Sequence, residues 1–377
     1  MNRRILALVL GIVMLLSMIP AFAEEAPAAT PVVGVTAETH VEDLGWFVDS
    51  FTVELAESFD ATGIDKDNLV IENNKVHPSF AWYSDGVEDV TVINGFMTIK
   101  VDPFLMKQGF IISCVVDGKV LFSFTKDDVA SFTTDVVDEF EVVWTDEANY
   151  RIFRPDTDEK VPLIIWFHGA GERGDDTYLP LVDYRGAVCW AEPAYQAKHP
   201  CVVLVPQIPA ESTCDKAKLD DIRAMADKLI AEGIVDENRV YAVGFSAWQS
   251  TLWFDTYNID FVAASLHCLY WHAYDPDPKT DDEWGGIGWD VIANANLPLW
   301  SVIADGDPTK GDIEMQTYHI PYMEANNPNF RYTLWSHADM AKYDLFDVGF
   351  ILHWGWFPAV NDQEIIDWLF AQNLQNR

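Results

Sequence analysis

The sequence predicts a small all-β domain followed by an α/β domain with a mostly parallel central sheet. Two observations lead to this prediction. The chain has 377 residues, which is more than one hydrophobic core usually absorbs. Its apolar runs also change in character: up to about residue 130 they are short and strand-like, and from about residue 135 they alternate with helical stretches, as in βαβ units.

The chain begins with the features of an export signal. Arg3 and Arg4 precede an apolar run, which ends in the small-residue pattern Ala21-Phe22-Ala23. We therefore predict a signal peptide over 1–23 and a secreted protein that leaves the membrane after cleavage. An uncleaved anchor is the alternative, which the shortness of the apolar run disfavours. A linker is predicted over 24–34.

The segment 35–130 is predicted to be a β-sandwich. Its runs are rich in β-branched and aromatic residues, and Asn94-Gly95 and Asp117-Gly118 are dipeptides that favour type I′ hairpin turns. A sandwich of about a hundred residues, of immunoglobulin-like type, fits this pattern.

The segment 135–377 is predicted to be the α/β domain. Strands are expected at LIIWFH, CVVLVPQ, RVYAVGF and LPLWSVIAD. Between them, the stretch from Asp215 onward reads as an amphipathic helix that ends at Gly233. Its buried face is predicted to consist of Leu219, Ile222, Ala226 and Leu229.

The charge of the chain excludes some partners. Against 24 Lys and Arg stand 60 Asp and Glu, a formal net charge of -36. Such a field repels nucleic acid and anionic membranes, so the expected partners are neutral or cationic molecules.

No metal or cofactor is predicted. The acidic loop that contains Asp277, Asp281 and Asp282 lacks a recognised Ca²⁺-binding spacing, and we interpret it as a solvated loop. The five cysteines are an odd number. One disulfide among Cys189, Cys201 and Cys214 fits their positions, and buried free thiols fit equally well.

Ser246 is the candidate nucleophile. It stands between the apolar strand RVYAVGF and a helix-like segment, and Gly244 precedes it by two residues. A tight turn at such a junction lifts the hydroxyl away from the backbone. A serine that merely caps the helix is the alternative.

A catalytic serine needs a base, and the base needs an acid that orients it. Asp305 and Asp307 follow the predicted strand LPLWSVIAD, and the pattern alone does not separate them. His353 lies beyond the last predicted strand and is preferred as the base over His337. The resulting order of Ser, Asp and His is the order of α/β-hydrolases.

Gly169, Gly171 and Gly174 have the spacing of a dinucleotide-binding turn, and Glu192 has about the spacing of its ribose-binding acid. Such a turn must open a helix, and the residues after Gly174 are poor helix formers. We therefore interpret the segment as an oxyanion loop, with backbone N–H groups near Ala170 and at Ala247 as donors.

The segments HGAGERG, VPQ, DENRVYAVGFS, LPLWSVIADGDP and HWGWFP together resemble the α/β-hydrolase esterases described as predicted peptidases or polyhydroxybutyrate depolymerase-like proteins. Some of these carry an N-terminal immunoglobulin-like domain. The resemblance implies Ser246 as nucleophile, Asp307 as acid and His353 as base. It favours Asp307 because the acid of the family precedes a proline, here Pro308.

Two tryptophans depart from the family. Trp248 replaces a glycine that usually stands two residues after the nucleophile, and Trp354 replaces the small or acidic residue after the histidine. We expect both indoles to contact the substrate. The predicted function is a secreted serine hydrolase that cleaves carboxylic esters, such as acetyl or feruloyl esters of plant polysaccharide. A serine peptidase of the same fold and a catalytically silent carbohydrate-binding protein are the alternatives.

Overall fold

A computed structural model describes residues 31–73, 86–106, 109–210, 214–246, 250–268, 289–308, 315–343 and 350–377. Its first part contains two β-sheets. One has the strand order β4-β5-β2-β1-β8 and the other the order β3-β6-β7. The strands are β1 Val32–Glu42, β2 Gly45–Leu55, β3 Leu69–Asn73, β4 Val87–Ile93, β5 Phe96–Leu105, β6 Phe110–Val116, β7 Lys119–Thr125 and β8 Val129–Thr134.

The two sheets pack through phenylalanines. Phe51 on β2 lies 5.0 Å from Phe110 on β6 and 5.3 Å from Phe124 on β7, measured between ring centroids. The predicted β4–β5 and β6–β7 hairpins are both present, and positive φ angles occur at Asn94-Gly95 and Asp117-Gly118, as type I′ turns require. These hairpins agree with the β-structure expected of the segment, and the sandwich of immunoglobulin-like type stays a prediction. The first strand begins at Val32, inside the stretch predicted as linker.

The second part of the chain has an eight-stranded sheet of order β16-β15-β14-β13-β11-β12-β10-β9. Neighbouring strands are parallel except at β10, which runs antiparallel to β9 and β12. The strands are β9 Glu141–Trp144, β10 Asn149–Phe153, β11 Val161–Phe167, β12 Val202–Gln207, β13 Val235–Phe245, β14 Ala264–Cys268, β15 Leu299–Ala304 and β16 Phe330–Trp335.

Helices cover this sheet, so every residue of β11 and β12 is buried. The described helices are α1 Leu179–Val182, α2 Pro193–Gln196, α3 Lys216–Ala231, α4 Ser250–Tyr257, α5 Trp289–Asn294, α6 Ile320–Asn326, α7 His337–Met340, α8 Trp356–Asn361 and α9 Gln363–Phe370. The α/β prediction is confirmed.

Helix α3 agrees with its sequence prediction. Asp215 caps it by accepting a hydrogen bond from the Lys218 N–H, and Gly233 follows it with a φ of 87°. The residues predicted for the buried face are all buried, namely Leu219, Ile222, Ala226 and Leu229.

The parallel strands bring the candidate residues to one edge of the sheet, because their carboxyl ends lie side by side. The loop from His168 follows β11, Ser246 follows β13, and Asp307 follows β15. The five cysteines are buried free thiols, so the disulfide allowed by the sequence is absent. No helix in the described ranges is long and apolar enough to span a membrane.

Candidate active site

Ser246 lies in a strained turn between β13 and α4. Its φ is 40°, a value that residues other than glycine rarely adopt, and its N–H donates to the Cys268 carbonyl over 3.0 Å. A Cβ atom on Gly244 would lie 1.7 Å from Thr251 Oγ1, because α4 packs directly against the end of β13. Only glycine fits at position 244, and the turn presents the Ser246 hydroxyl beyond the strand.

His353 connects Ser246 to Asp307. Its Nε2 lies 2.8 Å from Ser246 Oγ, and its Nδ1 lies 3.0 Å from Asp307 Oδ2. The His353 side chain is 10% exposed and the Asp307 side chain 2% exposed. A carboxylate that accepts from Nδ1–H leaves the Nε2 lone pair directed at the serine hydroxyl, which is the arrangement needed to accept its proton.

The rival candidates lie elsewhere. Asp305 is exposed, and its backbone N–H donates to the Trp335 carbonyl over 2.9 Å. His337 is exposed at the start of α7 and approaches Gly306. The structure therefore brings Asp307 and His353 together with Ser246.

The glycine-containing loop after β11 reaches Ser246. A Cβ atom on Gly169 would lie 3.4 Å from Ser246 Cβ. Ala170 is exposed and opens a single 3-10 turn, Ala170–Glu172, whose first N–H groups have no partner within the turn. Ala247, the other predicted donor, lies outside the described residues.

The dinucleotide interpretation does not fit this loop. Three residues of 3-10 turn are not the helix on which a pyrophosphate would rest. Glu192, the residue at the spacing of a ribose-binding acid, forms a bidentate ion pair with Arg185, with an Nε–Oε1 distance of 2.5 Å. Its carboxylate is therefore engaged within the protein.

His168 fixes the start of the loop as a neutral imidazole. Its Nδ1 donates to the Gly169 carbonyl over 2.6 Å, and its Nε2 accepts from the Ile208 N–H over 2.9 Å. Burial lowers the pKa of His168 to about 4. The side chain therefore positions the backbone and carries no charge at neutral pH.

Glu172 and Tyr184 were not predicted from the sequence. Glu172 is 4% exposed, and its Oε2 accepts from Tyr184 Oη over 2.8 Å. Tyr184 Oη also receives the Gly169 N–H at 3.4 Å, and burial raises the tyrosine pKa well above its usual range. The sequence feature that could have pointed to Glu172 is its position between Gly171 and Gly174, because a charged side chain in a short loop with glycines has few orientations available.

The predicted substrate contacts of Trp248 and Trp354 stay predictions. Trp354 is half-buried against Trp356 and Phe357, with ring centroids 5.8 and 5.4 Å away. Trp356 packs on Phe245 and stands edge-on to His353 at 6.5 Å. Trp248 lies outside the described residues, as do Asp277, Asp281 and Asp282.

Comparisons with known proteins place the fold. No protein-family description matches the chain, and no curated protein is similar enough to count as a relative. The crystal structure of a thermostable esterase aligns over 91% of this chain and 100% of its own, at 24% identity and a TM-score of 0.65.

Two further solved structures cover less of the chain. An esterase from Pyrobaculum calidifontis aligns over 61% of this chain and 88% of its own, at 13% identity and a TM-score of 0.39. A puromycin-hydrolyzing peptidase from Mycobacterium tuberculosis aligns over 61% and 40%, at 15% identity and a TM-score of 0.39. By the first of these comparisons, the chain has the fold of the thermostable esterase.

Proposed function

We propose that this protein is a secreted serine hydrolase that cleaves carboxylic esters through an acyl-enzyme. The observation that supports this most directly is the chain of hydrogen bonds from Ser246 Oγ through His353 to Asp307. Its residues follow one another in the order of α/β-hydrolases, and the sheet order supports the same fold.

In the proposed reaction Ser246 Oγ attacks the ester carbonyl carbon while His353 Nε2 takes the hydroxyl proton. Asp307 holds the imidazole and stabilises its positive charge. Collapse of the tetrahedral intermediate breaks the bond to the alcohol, which leaves with the proton from His353. Water, deprotonated in turn by His353, then attacks the acyl carbon. His353 returns this proton to Ser246 Oγ as the bond between Oγ and the acyl group breaks, and the acid is released.

The negative charge of the intermediate needs preorganised donors. We assign this role to backbone N–H groups at Ala170 and Ala247. The close approach of Gly169 to Ser246 supports the first assignment, because it sets the 3-10 turn beside the nucleophile. One such donor contributes roughly a hundredfold to a thousandfold in kcat.

The finer parts of the proposal rest on the sequence. A signal peptide over 1–23 would export the chain, and 35–130 would be an immunoglobulin-like domain ahead of a catalytic domain over 135–377. The net charge of -36 favours neutral or cationic substrates, and neutral polysaccharides that carry acetyl or feruloyl groups fit this requirement. Trp248 and Trp354 are proposed to contact the acyl or sugar part of the substrate.

The deciding experiment compares the mature protein with Ser246→Ala in fluorophosphonate labelling and p-nitrophenyl acetate turnover. We expect the parent to label and turn over, and Ser246→Ala to do neither. Thr256→Ala, which removes a hydroxyl that bonds within α4, is the matched control and should behave like the parent. Turnover that survives Ser246→Ala would overturn the proposal. A matched amide, cleaved as fast as the ester, would favour the peptidase.

A further inference from the structure

The end of β12 is hydrogen-bonded to the candidate oxyanion loop, the segment from His168 to Thr177. Gln207, the last residue of that strand, is 1% exposed, and its carboxamide bonds to the loop through both of its polar atoms. Its Oε1 accepts from the Thr177 N–H over 2.6 Å, and its Nε2 donates to the Glu172 carbonyl over 2.9 Å. One buried side chain thus joins the 3-10 turn to the residue where the loop ends.

The next residue, Ile208, also bonds to this loop, through its backbone N–H and carbonyl groups. The Ile208 N–H donates to His168 Nε2 over 2.9 Å, and the Ile208 carbonyl accepts from the Gly174 N–H over 3.0 Å. A Cβ atom on Gly174 would lie 3.0 Å from Gln207 Nε2, so the loop backbone rests against the carboxamide. Gln207 and Ile208 therefore bond to the beginning, middle and end of the loop.

The loop needs such support because its end is strained. Thr177 is β-branched and buried, yet its φ is 59°. A β-branched residue rarely adopts this conformation, which persists only where the surroundings impose it. Besides the bond to Gln207, Arg151 Nε donates to Thr177 Oγ1 and to the Thr177 carbonyl, over 3.1 and 3.2 Å.

We infer that Gln207 is a positioning residue for catalysis, which holds the loop so that its N–H groups meet the oxyanion. This inference rests on the proposed function. Gln207 acts through the backbone of Ala170 and Glu172 and is given no contact with the substrate. Displacing a catalytic group by about 1 Å costs about a hundredfold in rate. Loss of the Gln207 hydrogen bonds is therefore expected to lower kcat rather than substrate binding.

The first test is Gln207→Met, which keeps the length of the side chain and removes its hydrogen bonds. We expect kcat for p-nitrophenyl acetate to fall by about tenfold to a hundredfold, with KM within about twofold of the parent. The control is Gln196→Met. Gln196 also bridges backbone groups, with Nε2 donating to the Trp190 and Cys201 carbonyls, but it lies at the opposite end of β12.

Gln196→Met should lower the melting temperature and keep the kcat of the parent. The concentration of active sites is measured by fluorophosphonate titration, so that a misfolded fraction of the protein is not mistaken for a low kcat. The inference is overturned if Gln207→Met keeps the parent kcat per titrated site, or if the two variants lose kcat equally.

A second variant, Gln207→Glu, tests the same inference in the event that Gln207→Met does not fold. Gln207→Glu retains the acceptor for the Thr177 N–H but turns a carboxylate toward two acceptors to which Gln207 Nε2 donates, the Glu172 carbonyl and Asp176 Oδ1, at 2.9 and 3.3 Å. Protonation would restore a donor there, so the ratio of variant to parent kcat should rise as the pH is lowered from about 8 toward 5. A flat ratio contradicts the inference. Turnover by Ser246→Ala would instead mark failure of the proposed function itself.

Discussion

His168 is held neutral inside the protein, which makes its effect on stability depend on pH. Its pKa is lowered from 6.5 to about 4 by burial, and the pKa of buried His319 is lowered to about 4 for the same reason. The unfolded chain therefore takes up a proton at each histidine before the folded chain does. The stability that these neutral side chains contribute is present above pH 6.5 and is lost as the pH falls through about 4.

We predict that each of these histidines lowers the free energy of unfolding by about 2 kcal/mol between roughly pH 7 and pH 5. Urea denaturation at the two pH values measures the loss. In His168→Gln, which cannot titrate, the loss should be smaller by that amount, and His319→Gln should remove a second share of similar size. If both variants lose as much stability as the parent, the acid sensitivity lies in other groups.

Single residues also differ in how far the sequence reveals them. Ser246 and His353 could be singled out because they follow strands in a recognised order, whereas Asp307 was separated from Asp305 only by the resemblance, through Pro308. Gln207 ends the VPQ segment that carries part of the resemblance, but no sequence feature indicated a role for it, and Tyr184 lies in a loop without a pattern of its own. They matter through partners 30 and 12 residues away, and that pairing exists only once the loop is folded.

At the scale of elements, the junction of β13 and α4 sets the site. The family that the sequence resembles usually has a glycine two residues after the nucleophile, where this chain has Trp248. The structure shows a close approach of helix and strand at Gly244, two residues before the nucleophile, against Thr251. Such a contact depends on the crossing of two elements, which the sequence does not specify.

We predict that Gly244→Ala pushes α4 away from β13. The added methyl group meets Thr251 Oγ1 at 1.7 Å and Thr251 Cβ at 2.8 Å, so one element must move. Overpacking of this kind costs about 1–3 kcal/mol, and we expect kcat to fall at least tenfold because Ser246 sits on the same turn. Denaturant unfolding and p-nitrophenyl acetate turnover measure the two effects.

Gly34→Ala is the control, because a methyl group there would have only the Glu54 carboxylate within reach, at an ordinary 3.7 Å. Adding Thr251→Ala to Gly244→Ala removes the nearest clashing atom and should restore part of the lost stability. Wild-type stability in Gly244→Ala alone would show that the two elements separate without cost.

At the scale of the whole molecule, the β-sheets of the first part dock beside the loops of the candidate site. Trp46 on β2 packs edge-on against Tyr178, with ring centroids 5.3 Å apart, and Tyr178 Oη bonds to Thr134 on β8. Asp43, in the turn between β1 and β2, pairs with Arg185 at 3.5 Å. Tyr178 directly follows Thr177, so this contact ends where the strained loop ends. The sequence predicted both parts but not this contact, because neither surface has a sequence pattern that identifies the surface against which it packs.

We therefore predict that the two parts unfold as one cooperative unit and that Trp46→Ala weakens this unit. Trp46 is 9% exposed and contacts Phe132 as well as Tyr178, so its truncation should lower the free energy of unfolding by about 3 kcal/mol and broaden or split the transition. Trp144→Ala, on an indole that is 60% exposed on the edge strand β9, should stay within about 0.5 kcal/mol of the parent. Urea titrations followed by far-UV circular dichroism compare the variants without relying on indole fluorescence. Equal losses in Trp46→Ala and Trp144→Ala would mean that the contact does not couple the two parts.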